Sequence, residues 1–181
     1  MRKHMMVLAG ALLVSMLIGA CSSGGSQNTA VEAVDVKQLV QGFSERTVTA
    51  NNASISSKEL VVTNANSKSV SYQLPEDEFF VSIAPYIEHT HECAIHNLTG
   101  CQGELANKEM DVYIEDAEGR TVLDQTMTTY ANGFLDLWLP RNQKYRITIT
   151  YDGKTATSEF STFENDKTCI TTIRLTDGPS A

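Results

Sequence analysis

The sequence predicts a mainly β protein: an antiparallel β-sandwich preceded by a small N-terminal α+β unit. Three observations predict it. After Pro75, apolar and polar residues alternate in short runs, as in Met110-Asp111-Val112-Tyr113-Ile114 and Tyr145-Arg146-Ile147-Thr148-Ile149. Such period-two alternation marks strands with one buried face. The runs end at turn formers, among them Asp116-Ala117-Glu118-Gly119, Asn132-Gly133 and Asp152-Gly153, and short strands spaced this way build sandwiches. Before Pro75 the pattern is mixed, with one amphipathic helix and a pair of short strands.

Residues 1–20 read as a signal peptide. Arg2 and Lys3 precede an apolar run from Met5 to Ile18, and small residues lead to Cys21. A basic start, an apolar centre and a small-residue exit are the marks of export, and the run is short for a permanent membrane span. Leu17-Ile18-Gly19-Ala20-Cys21 resembles a bacterial lipobox, which makes Cys21 the expected lipidation site and the membrane contact a lipid anchor. The alternative is plain secretion with an incidental cysteine. Residues 21–34, rich in Ser, Gly and Asn, suit a flexible tether. Ser22 at the next position favours the outer membrane in a double-membrane bacterium.

Residues 35–75 form the small N-terminal unit. Val36, Leu39, Val40 and Phe43 recur at helical spacing, with Asp35 placed as the cap. Residues 58–64 and 69–74 follow as strands joined through Asn64-Ala65-Asn66-Ser67. Residues 76–181 form the sandwich. Its strands are expected at 79–84, 110–115, 121–128, 135–139, 145–151, 155–162 and 170–175. Asp152-Gly153 is the strongest hairpin signal, because a two-residue turn favours positive φ. The run from Met110 to Gly153 resembles the small prealbumin-type sandwiches, a likeness of architecture that implies no activity.

The chain has 181 residues and a formal net charge of −8. Without residues 1–20 it carries twelve basic and twenty-two acidic side chains, a net charge of −10. Such a balance repels nucleic acid and offers no basic face to phosphates. There is no GxSxG, HExxH, P-loop or CxxC, so no enzyme class is indicated, and Glu76, Asp77 and Glu78 read as a solvated loop.

The chemistry concentrates in His89-Thr90-His91-Glu92-Cys93-Ala94-Ile95-His96-Asn97-Leu98-Thr99-Gly100-Cys101. With Cys21 set aside, this stretch holds five of the six remaining cysteines and histidines of the exported chain, the sixth being Cys169. If residues 89–93 are extended, His89, His91 and Cys93 point to one face. Three cysteines cannot all pair within one chain, and a spare thiol in an oxidising compartment needs a use or a shield. Three thiolates on one copper(I) ion are such a use, since that ion prefers few, soft ligands; zinc would take a histidine as a fourth. A different account fits the same residues. Cys93 and Cys101 would close a disulfide loop, stabilising the fold by roughly 2–3 kcal/mol, and Cys169 would be a core residue sharing a strand face with Ile173 and Leu175.

The stretch Pro75-Glu76-Asp77-Glu78-Phe79-Phe80-Val81-Ser82-Ile83-Ala84-Pro85-Tyr86, continuing through Cys93 and Cys101 into Gln102-Gly103-Glu104-Leu105, closely resembles the CueP family of periplasmic copper-binding proteins. The likeness runs from about Val34 to Thr176 and includes Cys169. It implies copper as the cargo, with Cys93, Cys101 and Cys169 as ligands; among the neighbouring residues themselves, His96 reads as the first helper and His89 and His91 as entry or copper(II)-capture groups. It also implies a role in holding copper or passing it to an envelope cuproprotein such as a copper/zinc superoxide dismutase, a homodimer formed through the N-terminal part, and reduction of copper(II). The alternative is a thiol redox protein that cycles a Cys93–Cys101 disulfide. The lipobox departs from the freely periplasmic form of the family.

Overall fold

A computed structural model of the chain describes residues 34–178. The expected signal peptide, Cys21 and the tether up to residue 33 lie outside the described residues.

The described chain opens with α1 (Val36–Ser44), whose first turn is capped as expected: the Asp35 carboxylate accepts from the backbone N–H of Lys37 and Gln38. Such a cap satisfies donors that the helix itself leaves unpaired. Then come β1 (Asn52–Ile55), β2 (Glu59–Thr63), β3 (Ser69–Gln73), β4 (Glu78–Ile83), β5 (His96–Asn97), β6 (Glu109–Asp116), β7 (Thr121–Thr128), β8 (Leu135–Pro140), β9 (Lys144–Tyr151), β10 (Lys154–Ser161), β11 (Cys169–Ile170) and β12 (Thr176–Asp177). They form a mainly β fold of three sheets: β3-β2-β1-β5, β11-β4-β8 and β12-β10-β9-β6-β7. The β9–β10 hairpin turns at Asp152 and Gly153, whose φ values of 49° and 73° fit the turn read from the sequence.

The sandwich is the middle sheet packed on the five-stranded sheet. Phe79, Val81 and Ile83 of β4 pair in register with Leu139, Leu137 and Leu135 of β8. These six side chains meet Met110, Val112 and Ile114 of β6 and Tyr145, Ile147 and Ile149 of β9 in one core.

The other face of the middle sheet is covered as well. Phe80 packs with Val40 and Phe43 of α1 and with Ala53, Ile55, Leu60 and Leu98. The helix and the first sheet therefore make a third layer. This explains why β4 is apolar apart from Glu78 and the hydrogen-bonded Ser82, since a strand covered on both faces has no side to give to water.

Two readings change. β1 was not expected, because Asn52-Ala53-Ser54-Ile55 sits in a polar stretch; only Ala53 and Ile55 are buried there. The expected strand over 170–175 is broken. Cys169 and Ile170 run parallel to β4, in register with Ser82 and Ile83, while Thr176 and Asp177 pair with β10. The break alters the place of Cys169: it packs with Ala84 and Phe134, whereas Ile173 and Leu175 belong to the sandwich core.

Candidate metal centre

The three cysteines come from separate segments, each held by local bonds. Cys169 starts β11, and its backbone N–H donates to Ala94 O at 3.3 Å, tying the strand to the loop that carries Cys93. That loop is pinned twice more: Thr90 Oγ1 donates to Thr171 O at 2.5 Å, and Thr171 Oγ1 donates to His91 O at 2.6 Å. Cys101 closes a turn built by Asn97, whose side-chain oxygen accepts from the backbone of Thr99 and Gly100 while Cys101 N–H donates to Asn97 O. Beyond Cys101 the backbones of Gly103 and Gly133 nearly touch: a Cβ on Gly103 would lie 2.5 Å from Gly133 O. Phe134, next to Gly133, shares a buried cluster with Ala84 and Cys169 against which Cys93 and Cys101 pack.

These constraints bring one ligand atom each from His91, Cys93, Cys101 and Cys169 within 4.8 Å of one another. Cys93 Sγ and Cys101 Sγ are 3.6 Å apart. Cys169 is buried and the other two cysteines are half-buried. His91 Nε2 is buried and has no hydrogen-bond partner. A buried imidazole nitrogen left unpaired beside three thiols fits a metal ligand, since buried polar atoms are otherwise satisfied.

His96 lies beside this group, fully buried, with Nδ1 3.4 Å from Cys169 Sγ and Nε2 3.4 Å from Ser82 Oγ. Ser82 in turn donates to Asp136 Oδ1 at 2.6 Å, and Ser44 donates to Oδ2 at 2.5 Å. His89 is exposed and outside the cluster, so the expected common face holds for His91 and Cys93 alone; residues 89–93 form no strand. Its backbone N–H, with those of Ile87 and Glu88, donates to the Glu104 carboxylate.

The thiols do not ionise alike. The hydrogen bond with Cys169 holds the Cys101 thiol well below its ordinary value against burial, and the Asn97 N–H also donates to its sulfur at 3.4 Å. Burial pushes Cys93 up. The bond to Cys101, and then burial, push Cys169 up. Burial also pushes the Asp136 carboxyl up, against the pull of His96, Ser44 and Ser82.

Two adjoining cavities of about 640 Å³ and 290 Å³ share Cys93, Lys167, Thr171 and Thr172 in their walls. A separate cleft on the outer sheet, lined by Glu115, Arg146 and Glu159, holds no thiol or imidazole.

Sequence reasoning did not single out Ser82, Asp136 or Phe134. The one available signal was an acid inside Leu135-Asp136-Leu137-Trp138-Leu139, and alternation assigned that acid to solvent.

Three thiols and an imidazole gathered on a β-sandwich define a protein with a cluster able to hold a soft metal ion. The family model described as periplasmic copper-binding protein CueP matches residues 31–174, and the chain belongs to that family. A solved structure titled "Crystal Structure of S.CueP" is 35% identical, with a TM-score of 0.73 over 81% of this chain and 91% of that one. A comparison with curated proteins returns no match. The family is one of copper-binding proteins rather than of enzymes.

Proposed function

We propose that this protein binds copper(I) in the bacterial envelope through Cys93, Cys101 and Cys169, holds it and passes it on. The observation that carries the reading is the approach of three sulfurs and one His91 ring nitrogen to within 4.8 Å of one another, with His91 Nε2 buried and unpartnered. Copper(I) takes few, polarisable ligands, and three thiolates supply a trigonal set. Zinc would draw on His91 as a fourth ligand; membership of a copper-binding family favours copper. Cys93 is the sulfur at which the ion arrives and leaves, because it lines both cavities and sits on a loop rather than a strand. His91 beside it is a capture group for copper(II), which accepts imidazole readily.

The lipobox makes Cys21 a lipid anchor, so the domain works tethered at the membrane. Delivery to an envelope cuproprotein such as a copper/zinc superoxide dismutase, and a homodimer, follow from the family resemblance.

A second reading has its own observation, the 3.6 Å between Cys93 Sγ and Cys101 Sγ. Oxidation of these two thiols to a disulfide releases two electrons and two protons, enough to reduce two copper(II) ions to copper(I).

Copper(I) affinity of Cys169→Ser, measured against a competing chelator, separates the two. The three-sulfur site predicts a fall larger than the roughly 10–100-fold cost of losing a ligand's supporting hydrogen bond. The redox reading predicts unchanged affinity, with function lost in Cys93→Ser or Cys101→Ser instead.

A further inference from the structure

Asp136 is an acid on the middle sheet that copper binding by thiolates does not use. Its carboxylate turns toward α1 and takes the hydroxyls of two fully buried serines, Ser44 and Ser82. None of the ion pairs among the described residues includes it. Besides the serines, the titratable group that acts on it is His96 from β5; Asp136 in turn helps burial raise Tyr130 in the loop before β8.

Hydrogen-bond accounting gives this carboxylate a consequence at the metal centre. Burial raises the Asp136 carboxyl while His96, Ser44 and Ser82 oppose the rise; both serine hydroxyls donate to it, so it is the acceptor here, and a serine hydroxyl has one proton to give. Ser82 gives it to Asp136 at 2.6 Å, so its oxygen meets His96 Nε2, 3.4 Å away, with a lone pair. The ring nitrogen must then supply the hydrogen. A neutral imidazole that carries its hydrogen on Nε2 has a free lone pair on Nδ1, and Nδ1 is the atom 3.4 Å from Cys169 Sγ. Little else competes for the ring: it is fully buried, its centroid lies 4.5 Å from that of Phe134, and its backbone N–H is held by Thr168 Oγ1 at 3.0 Å.

We propose that Ser82 and Asp136 are positioning residues for the metal centre: they fix His96 as the Nε2–H tautomer, so that its unprotonated Nδ1 meets the sulfur cluster. Histidines at metal sites commonly have their second nitrogen fixed by a carboxylate; here a serine stands between the two. The proposal rests on the copper reading only for its effect on affinity, because the tautomer exists without metal.

A purely structural role is also available, since Ser44–Asp136 staples α1 to β8. Ser44→Ala removes that staple and leaves the path to His96 in place, whereas Ser82→Ala cuts the path. The test is long-range ¹H–¹⁵N NMR of His96 in the metal-free wild type, Ser82→Ala and Ser44→Ala, followed by copper(I) affinity against a chelator. The expected result is Nε2–H in the wild type and in Ser44→Ala. Ser82→Ala should show mixed or inverted tautomers and bind copper(I) about tenfold more weakly. Asp136→Asn serves as a second cut if Ser82→Ala does not fold, since its amide keeps the shape but no longer claims both hydroxyls. Nδ1–H in the wild type overturns the proposal. So does a wild-type tautomer and affinity after the path is cut, or an equal effect of Ser44→Ala. A wild type that shows Nε2–H yet binds no copper(I) sinks the copper reading and leaves the positioning intact.

Discussion

β8 and β9 read alike in sequence but face different surroundings. Both alternate large aliphatic residues with polar ones. In β9 the residues alternating with Tyr145, Ile147 and Ile149 include exposed Lys144 and Arg146, and Arg146 bridges Glu115 and Glu159 at the surface. In β8 the residues between Leu135, Leu137 and Leu139 are Asp136, bonded to two buried serines, and Trp138, packed 5.1 Å from Phe80. Alternation shows which residues leave the core; it does not tell whether they enter water or a further layer. The outer sheet is scaffold. The middle sheet carries the site because its second face is covered.

The largest effect expected from this contrast comes from cutting the scaffold. Ile147 is fully buried in the sandwich core, and Ile147→Ala should cost about 2–5 kcal/mol in denaturant unfolding. Copper(I) affinity of the folded variant should stay near that of the wild type, because Ile147 lies in a different cluster from the cysteines. Lost affinity in folded Ile147→Ala would mean that the two regions are not separable.

A smaller effect belongs to the loops that close the site. Partial burial raises the Glu104 carboxyl, but the N–H groups of Ile87, His89 and Glu88 outweigh it and hold the group below the usual carboxylate range. A folded-state value that is depressed gives stability present above the unfolded value, lost as pH falls through the folded one. Glu104→Gln should therefore unfold at lower urea than the wild type at about pH 7, with the gap closing in acid as wild-type Glu104 protonates. An equal gap at both pH values would mean that the charge is irrelevant to the clamp.

The same contrast explains what was legible. The β6–β7 and β9–β10 hairpins were readable because one face meets water, so the period of two survives in the sequence. The helix was readable from Asp35 and the spacing of Val40 and Phe43. β1 was hidden because two small or aliphatic residues, Ala53 and Ile55, are its whole buried face. The last strand was overextended because Ile173 and Leu175 continue the apolar spacing past a break at Thr171 and Thr172. Among the site residues, the clustering of Cys93 and Cys101 with histidines was plain in the sequence. The sequence ranked His96 ahead of His91. The structure puts the unpartnered nitrogen on His91 and ties both His96 nitrogens to neighbours, a difference that depends on which way a loop residue turns and leaves no mark in spacing. The link from Cys169 to Asp136 runs through four strands, β11, β5, β4 and β8, that only the fold brings together.

X-ray absorption at the copper edge, on the full protein loaded with one equivalent of copper(I), tests the central claim most directly. The account predicts a first shell dominated by three sulfur scatterers, reduced to two in Cys169→Ser. A shell of nitrogen and oxygen alone, or a sulfur count that Cys169→Ser leaves unchanged, would contradict the three-cysteine site.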